Sequence, residues 1–305
     1  TANQYANAMS TTTDTVMKAI GVFSTYTSTM DQVLEKSKAA LILSNITGQG
    51  IEQTSDALMG TMAQYKLSAD DAMHVADIIT STARMLSMDY PKGIQEISDG
   101  LRTVGSVARE SGATIEELSA MIGTLTEKNR RSGNENANAL RTIFGRILNV
   151  GEEADQDSMK KIEKDLDTIG VKIREIGDPS SLRPIGDIFK DLSEKWKVLT
   201  DVQKQDIAFQ AAGMYRKNTF IALMENYGEV VKNTEAAINS EGVAMQKQEI
   251  FANSLQAAIN NLKATLEELY LTSINSDFIK GFLQSANGLL SVFSNLSKTF
   301  GTLPV

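Results

Sequence analysis

The chain of 305 residues has no cysteine, one histidine, one tryptophan and only four prolines. Without cysteine there is neither a disulfide framework nor a thiolate metal site, which fits a reducing compartment. With His74 as the sole histidine, no Cys/His dyad and no histidine-rich metal site can be assembled, so no metal or cofactor is expected. Aromatic residues make up 6% of the chain, and Ala, Leu, Met, Glu, Lys and Gln are plentiful, a balance that predicts a mainly α-helical protein. No apolar run approaches the roughly 18 residues of a membrane span. The formal charge of −8 has no dominant basic face opposing it, which argues against a specific nucleic-acid partner. The start, TANQYANAMS, has no initiator Met and no apolar signal core, so the chain is expected to be a soluble piece of something longer.

What is present is helical periodicity. From Met9, the positions Thr13, Val16, Ile20, Phe23, Thr27, Met30, Leu34, Ser37 and Leu41 alternate steps of four and three, which predicts an N-terminal heptad helix over 1–48. Gly48 and Gly50 end it. An internal repeat follows at 51–84 and 94–130: Ser55, Asp56 and Leu58 correspond to Ser98, Asp99 and Leu101. Each unit reads as a helix, a turn, a capping box (Ser68 with Asp71, Thr114 with Glu117) and a second amphipathic helix. Two stacked helical hairpins are therefore expected, with Pro91 at their joint. Beyond them, Val171, Ile173 and Glu175 alternate ahead of a Gly177-Asp178-Pro179-Ser180 turn, which predicts one short β-hairpin near 171–184.

Helices are then expected at 185–199, at 202–212 after a Thr200/Gln203 capping box, at 214–227 closed by Gly228, and at 229–240. Met245, Gln248, Ala252, Leu255, Ile259, Leu262, Leu266 and Leu269 make a second heptad seam. Phe278, Phe282, Leu289, Leu290, Phe293 and Leu296 give an apolar helix near 278–300 that needs cover, from a partner, from missing chain or from lipid. The expected organisation is a helix over 1–48, a helical core over 49–243, and a heptad helix plus an apolar amphipathic helix over 244–305.

The most specific stretch is 127–148, EKNRRSGNENANALRTIFGRIL. Ser132 and Glu135 have capping-box spacing, and Leu140, Phe144, Ile147 and Leu148 form one apolar stripe. Asn134, Asn136 and Asn138 crowd the first turns despite poor helix propensity, while Arg141 and Arg146 lie on the other face. Two readings stand at this point: an ordinary capped surface helix, or a buried helix start held by side-chain hydrogen bonds.

Signals for catalysis are thin. Asp70/Asp71 and Glu116/Glu117 occupy first turns of helices, where carboxylates offset the dipole and exposed amides. Glu110-Ser111-Gly112 matches only the short Glu-Ser run of lytic transglycosylases, without the surroundings of such a site. No enzymatic activity is expected.

The segment 132–148 resembles the TP901-type core region of the phage tail tape measure protein family, in which Ser-Gly-Asn-Glu leads into an Ala-Leu-(Arg or Lys)-Thr-Ile-(Phe or Tyr) helix ending in Arg-Ile. Further similar blocks occur in order at 43–48 (LSNITG), 98–101 and 112–118 (SDGL, GATIEEL), 183–197 (RPIGDIFKDLSEKWK), 211–226 (AAGMYRKNTFIALMEN) and 261–270 (NLKATLEELY). The block at 211–226 has Met214-Tyr215-Arg216 where the arginine is expected nearer Gly213. The resemblance implies a structural protein of the virion tail, present in the host cytoplasm during assembly, that lies in the tail tube, sets its length and leaves ahead of the DNA. It also implies partners: the tail tube protein, tail assembly chaperones and tail tip proteins. Self-association through the heptad helices is expected from the seams; a membrane- or cell-wall-active ejection factor that engages lipid through 278–300 is an alternative from another class, as is a generic α-helical scaffold or adaptor. The candidate interaction residues are Ser132, Asn134, Glu135, Asn138, Arg141, Arg146, Gly213, Arg216, Asn218 and Phe220.

Overall fold

The computed structural model describes residues 2–25, 29–152 and 154–272. The apolar segment expected at 278–300 lies outside them. The fold is mainly α, with one small antiparallel pair of strands among the described residues.

Three helices open the chain: α1 (Ala2–Ala8), α2 (Thr13–Ser24) and α3 (Met30–Thr47). The single heptad helix expected over 1–48 is thus divided. The cause is local: Ser10 takes a left-handed conformation, the Thr12 hydroxyl accepts from the Thr15 amide, and the Thr29 hydroxyl accepts from Gln32. Caps of this kind compete with helix continuation wherever Ser and Thr occupy the seam. Val16, Phe23 and Leu41 still face the core, but Met30 is exposed.

The two hairpins follow as expected. The first is α4 (Ile51–Tyr65) and α5 (Ala72–Met85), the second α6 (Tyr90–Glu110) and α7 (Ile115–Asn129). Both capping boxes form, and Pro91 sits in the first turn of α6, where its missing N–H costs nothing. The hairpins stack with α4 against α6 and α5 against α7. Between α4 and α6, the Ser106 amide donates to Gln64 Oε1 at 2.8 Å.

Next come α8 (Gly133–Leu148), α9 (Gln156–Thr168), β1 (Arg174–Glu175) and β2 (Asp178–Leu182). The strands pair antiparallel with Arg174 opposite Leu182 and Glu175 opposite Asp178, the register shifting between Arg174 and Glu175, and Gly177 at φ 96° forms the turn. Val171 and Ile173, which suggested the extended segment, are buried.

The last elements are α10 (Ile185–Trp196), α11 (Asp201–Glu225), α12 (Tyr227–Ile238), α13 (Val243–Ala252) and α14 (Leu255–Thr272). Helix α11 is broken at Gly213, whose φ of 67° and ψ of 178° leave the helical region, so the expected division into 202–212 and a helix from Met214 is present as an elbow. The bend is sharp: Lys217 Nζ donates to Gln205 Oε1 at 3.1 Å, although residues twelve apart in a straight helix stand about 18 Å apart. The expected stop at Gly228 is not used. Asn226 separates the helices instead, its side chain bonding to the Ala222 carbonyl at 2.8 Å, and Gly228 lies in the first turn of α12 without positive φ.

The second seam is also divided, because Asn253 bonds back to Glu249 O and Ser254 Oγ caps the Ala257 amide. One apolar cluster runs from Ala6 to Ala264 and includes the buried faces of the hairpins, α8 and α10.

Candidate functional site

Helix α8 is the centre of the most tightly specified region. Its N-terminus carries a complete capping box: Ser132 Oγ accepts from the Glu135 amide at 3.2 Å, and Glu135 Oε2 accepts from the Ser132 amide at 3.0 Å. These bonds hold the Glu135 carboxyl below its ordinary range. The first turn lies directly on α6. An ideal Cβ on Gly133 would stand 1.8 Å from the Glu96 carbonyl oxygen, and the Gly133 amide donates to Glu96 Oε2 at 2.5 Å. The glycine here is required by space, not by backbone conformation.

The asparagines divide by depth. Asn134 is exposed and accepts from the Thr103 hydroxyl at 2.5 Å, tying the first turn to α6. Asn138 is half-buried, and its carbonyl accepts from Thr142 Oγ1. Asn136, absent from the candidates, is fully buried. Its amide donates toward Thr126 Oγ1 (3.2 Å), Asn129 Oδ1 (3.3 Å) and the Arg131 carbonyl (3.4 Å), and its Oδ1 accepts from Asn129 Nδ2 at 2.6 Å. The end of α7 is thereby locked to the start of α8. The signal was present in the sequence: positions 133, 136, 140, 143 and 147 follow helical spacing, so Asn136 lies on the apolar stripe itself, and a polar residue there must find partners.

The arginines reach in opposite directions. Arg141 donates to the Thr103 carbonyl of α6. Arg146 Nε donates to the Gln210 carbonyl of α11 at 3.0 Å, and Nη1 pairs with Asp155 Oδ2 at 3.4 Å. Asp155 caps α9 through Ser158 and Asp157, and these bonds, the Ser158 hydroxyl first and Arg146 adding, lower its carboxyl pKa. Arg146 therefore connects α8 to α9 and α11. Removing it as Arg146→Ala is expected to cost about 1–2 kcal/mol, since a charge-assisted hydrogen bond contributes roughly 1.5–3 kcal/mol and the half-exposed Asp155 pair adds little. The thermal midpoint, followed by circular dichroism, should fall by about 2–3 °C. An unaltered melt would leave this arginine free for a partner.

The second group of candidates lies away from this network. Gly213 forms the elbow, Arg216 is half-buried beside it, and Asn218 is exposed. Phe220 is fully buried, with the Trp196 and Phe189 rings edge-on at 5.9 Å each. Phe220 is thus a core residue, while Met214 and Tyr215 project at the elbow, Tyr215 being 91% exposed.

Ser111, His74 and Glu117 all make structural contacts. Ser111 caps the end of α6 through the Val107 carbonyl, and Gly112 at φ 75° packs its backbone on Pro184. His74 Nε2 lies 3.3 Å from Glu116 Oε1 at the surface. Glu117 completes the α7 capping box and abuts Gly186, and burial pushes its carboxyl pKa up, with Asp187 adding. No cluster of three or more His, Cys, Asp or Glu suited to a metal occurs among the described residues, nor does any helix there have the length and apolarity to cross a membrane.

Comparison with known proteins adds a second line. The sequence profile described as "Phage-related minor tail protein" matches residues 1–213. The chain is similar to the tape measure protein of Pneumococcus phage Dp-1, 20% identical over 271 residues, which is 88% of this chain and 22% of that protein. It is also similar to the probable tape measure protein of Escherichia phage P2, 24% identical over 168 residues, 55% of this chain and 19% of that protein. The matched parts make up about a fifth of each relative's length. No solved structure matches.

Proposed function

This chain belongs to the phage-related minor tail protein family, and from that premise we propose that it is a section of a tape measure protein that sets tail length by lying in the tail tube during assembly and leaves ahead of the DNA at infection. The observation that carries this reading is the likeness to a tape measure protein over 88% of the chain. A structural role in the phage tail follows from the family; the ruler mechanism is the proposal. Its partners on this reading are the tail tube protein, tail assembly chaperones and tail tip proteins, met in the host cytoplasm during assembly. It acts without catalysis. Self-association between copies through the heptad seams on α2–α3 and α13–α14 would need the opened form, because Val16, Phe23 and Leu41 are buried in the core of the folded chain.

Dimensions make the proposal concrete. A compact domain of this length has a radius of gyration of about 19 Å, whereas one continuous helix would extend about 460 Å at 1.5 Å per residue. A ruler requires the extended form, so the folded chain is proposed to open or thread in the assembled tail. Its helices suit that: Thr61 bonds to the Ala57 carbonyl and Ser98 to the Ile94 carbonyl, so these buried hydroxyls keep their partners when helices separate.

In-frame deletion of residues 239–269 in the parent phage is expected to shorten the tail by about 45 Å, measured by electron microscopy of purified virions. Tails of unchanged length would overturn the ruler reading.

A further inference from the structure

The helices α13 and α14 are attached differently from the rest of the fold. Helix α8 buries Leu140, Ile143, Phe144, Ile147 and Leu148, whereas the described side chains that α13 and α14 bury are small or few: Val243, Ala244, Ala257, Ala264, Leu266 and the polar Gln248. A buried Leu or Val contributes about 1.5–3 kcal/mol and an alanine much less, so apolar burial holds this segment weakly. Hydrogen bonds replace it.

The decisive contact is Asp77, a carboxylate on α5 that is 5% exposed. Its two oxygens accept from backbone amides at the start of α13, Oδ2 from Gly242 at 3.0 Å and Oδ1 from Ala244 at 2.8 Å. Helix α13 has no side-chain cap of its own, so its first amides are satisfied by an acid more than 160 residues away in the chain.

A second line of bonds joins the segment to the N-terminus. Gln248 Nε2 donates to the Met9 carbonyl at 2.9 Å, and its Oε1 accepts from Asn45. Asn260 donates to the Ser10 carbonyl at 3.1 Å, Asn3 to the Ala264 carbonyl at 2.9 Å, and the Thr13 amide to Glu267 Oε2 at 3.2 Å. Helix α14 touches α1 and α13, and a cleft of about 500 Å³, lined by Thr15, Asn45, Phe251 and Asn260 among others, remains between this segment and α2–α3.

We propose that residues 243–272 are a strap, latched by Asp77 and bonded to the N-terminal helices, that can open as one unit while the hairpins and α8 stay folded. Opening requires the loss of two amide bonds at Asp77, of the bonds to Met9, Ser10, Asn3, Thr13 and Asn45, and of the burial of Val243 and Leu266. The freed strap, kept helical, extends about 45 Å at 1.5 Å per residue. Its use in spanning a tail rests on the proposed ruler role; the latch itself does not, and the following experiment tests the latch alone.

Hydrogen exchange read by mass spectrometry on the 305-residue chain separates the strap from the core. In Asp77→Ala, amides of 243–268 are expected to exchange at least tenfold faster than in the parent, and those of 2–8 to rise with them, while 94–148 is unchanged. Asp77→Asn keeps one accepting oxygen and should give a smaller rise in the same segments. An unchanged strap, or an equal rise in 94–148, overturns the proposal. Should Asp77→Ala fail to fold, Gln248→Ala takes its place with the same readout: a rise confined to the strap and 2–8 supports the latch, and a rise across the chain refutes it.

Discussion

Gly133→Ala is expected to unseat α8 from α6 at a cost of about 3–5 kcal/mol. The added methyl would stand 1.8 Å from the Glu96 carbonyl oxygen and 2.6 Å from its carbon, far inside van der Waals contact, and both are backbone atoms of α6. No rotamer change relieves it, so the two helices must part. Overpacking a tight contact costs roughly 1–3 kcal/mol and more when backbone must move. Here the displacement also breaks the Gly133 amide bond to Glu96 and disturbs the Asn136 network four bonds deep in the interface. The thermal midpoint should fall by about 5–8 °C. Gly228→Ala provides the contrast: it lies in α12, has no atom within 4 Å of the new methyl and no positive φ, so it should be neutral or stabilising by up to about 1 kcal/mol. Equal melts for the two variants would show that α8 does not rest on α6 as described.

The second large effect is expected at Phe189 on α10. Its fully buried ring meets three others, Phe144 of α8 at 6.1 Å, Phe220 of α11 at 5.9 Å and Tyr227 of α12 at 6.2 Å, the last two edge-on. Tyr227 is fixed in turn by its hydroxyl, which donates to the Gly186 carbonyl at 2.9 Å, and burial raises its phenol pKa. Four helices therefore converge on one side chain. Phe189→Ala removes a full ring and leaves a cavity that these helices cannot close together, an expected loss of about 3–5 kcal/mol. Phe189→Leu retains much of the volume and should recover roughly half of it. Urea denaturation of both variants measures this. If leucine and alanine lose the same amount, ring contacts rather than volume hold the four helices.

Residues near α8 show which parts of the site could be read in advance. The Ser132/Glu135 box was legible because both partners lie within three residues, as were Ser68/Asp71, Thr114/Glu117 and Thr200/Gln203. Arg141 and Arg146 were visible as a basic face, but their acceptors are carbonyls of Thr103 and Gln210, and a carbonyl carries no sequence signature. Phe220, a candidate for interaction, lies in the core, while Tyr215, five residues earlier, is the exposed aromatic. The elbow at Gly213 decides that, since a break in φ rotates the next turn by an amount no periodicity encodes.

The amino-acid sequence by itself determined the helical class, the two-hairpin repeat, the capping boxes, the break at Gly213 and the short strand pair, because each rests on bonds and periodicities closed within a few residues. Tertiary structure alone decided that Gly133 would meet Glu96, which partners Asn136 would find, and that Asp77 would cap α13. In those cases the choice between exposing a polar group and satisfying it turns on which distant backbone or side chain arrives beside it. Local interactions of about 1 kcal/mol leave that choice open, and packing over the whole core settles it.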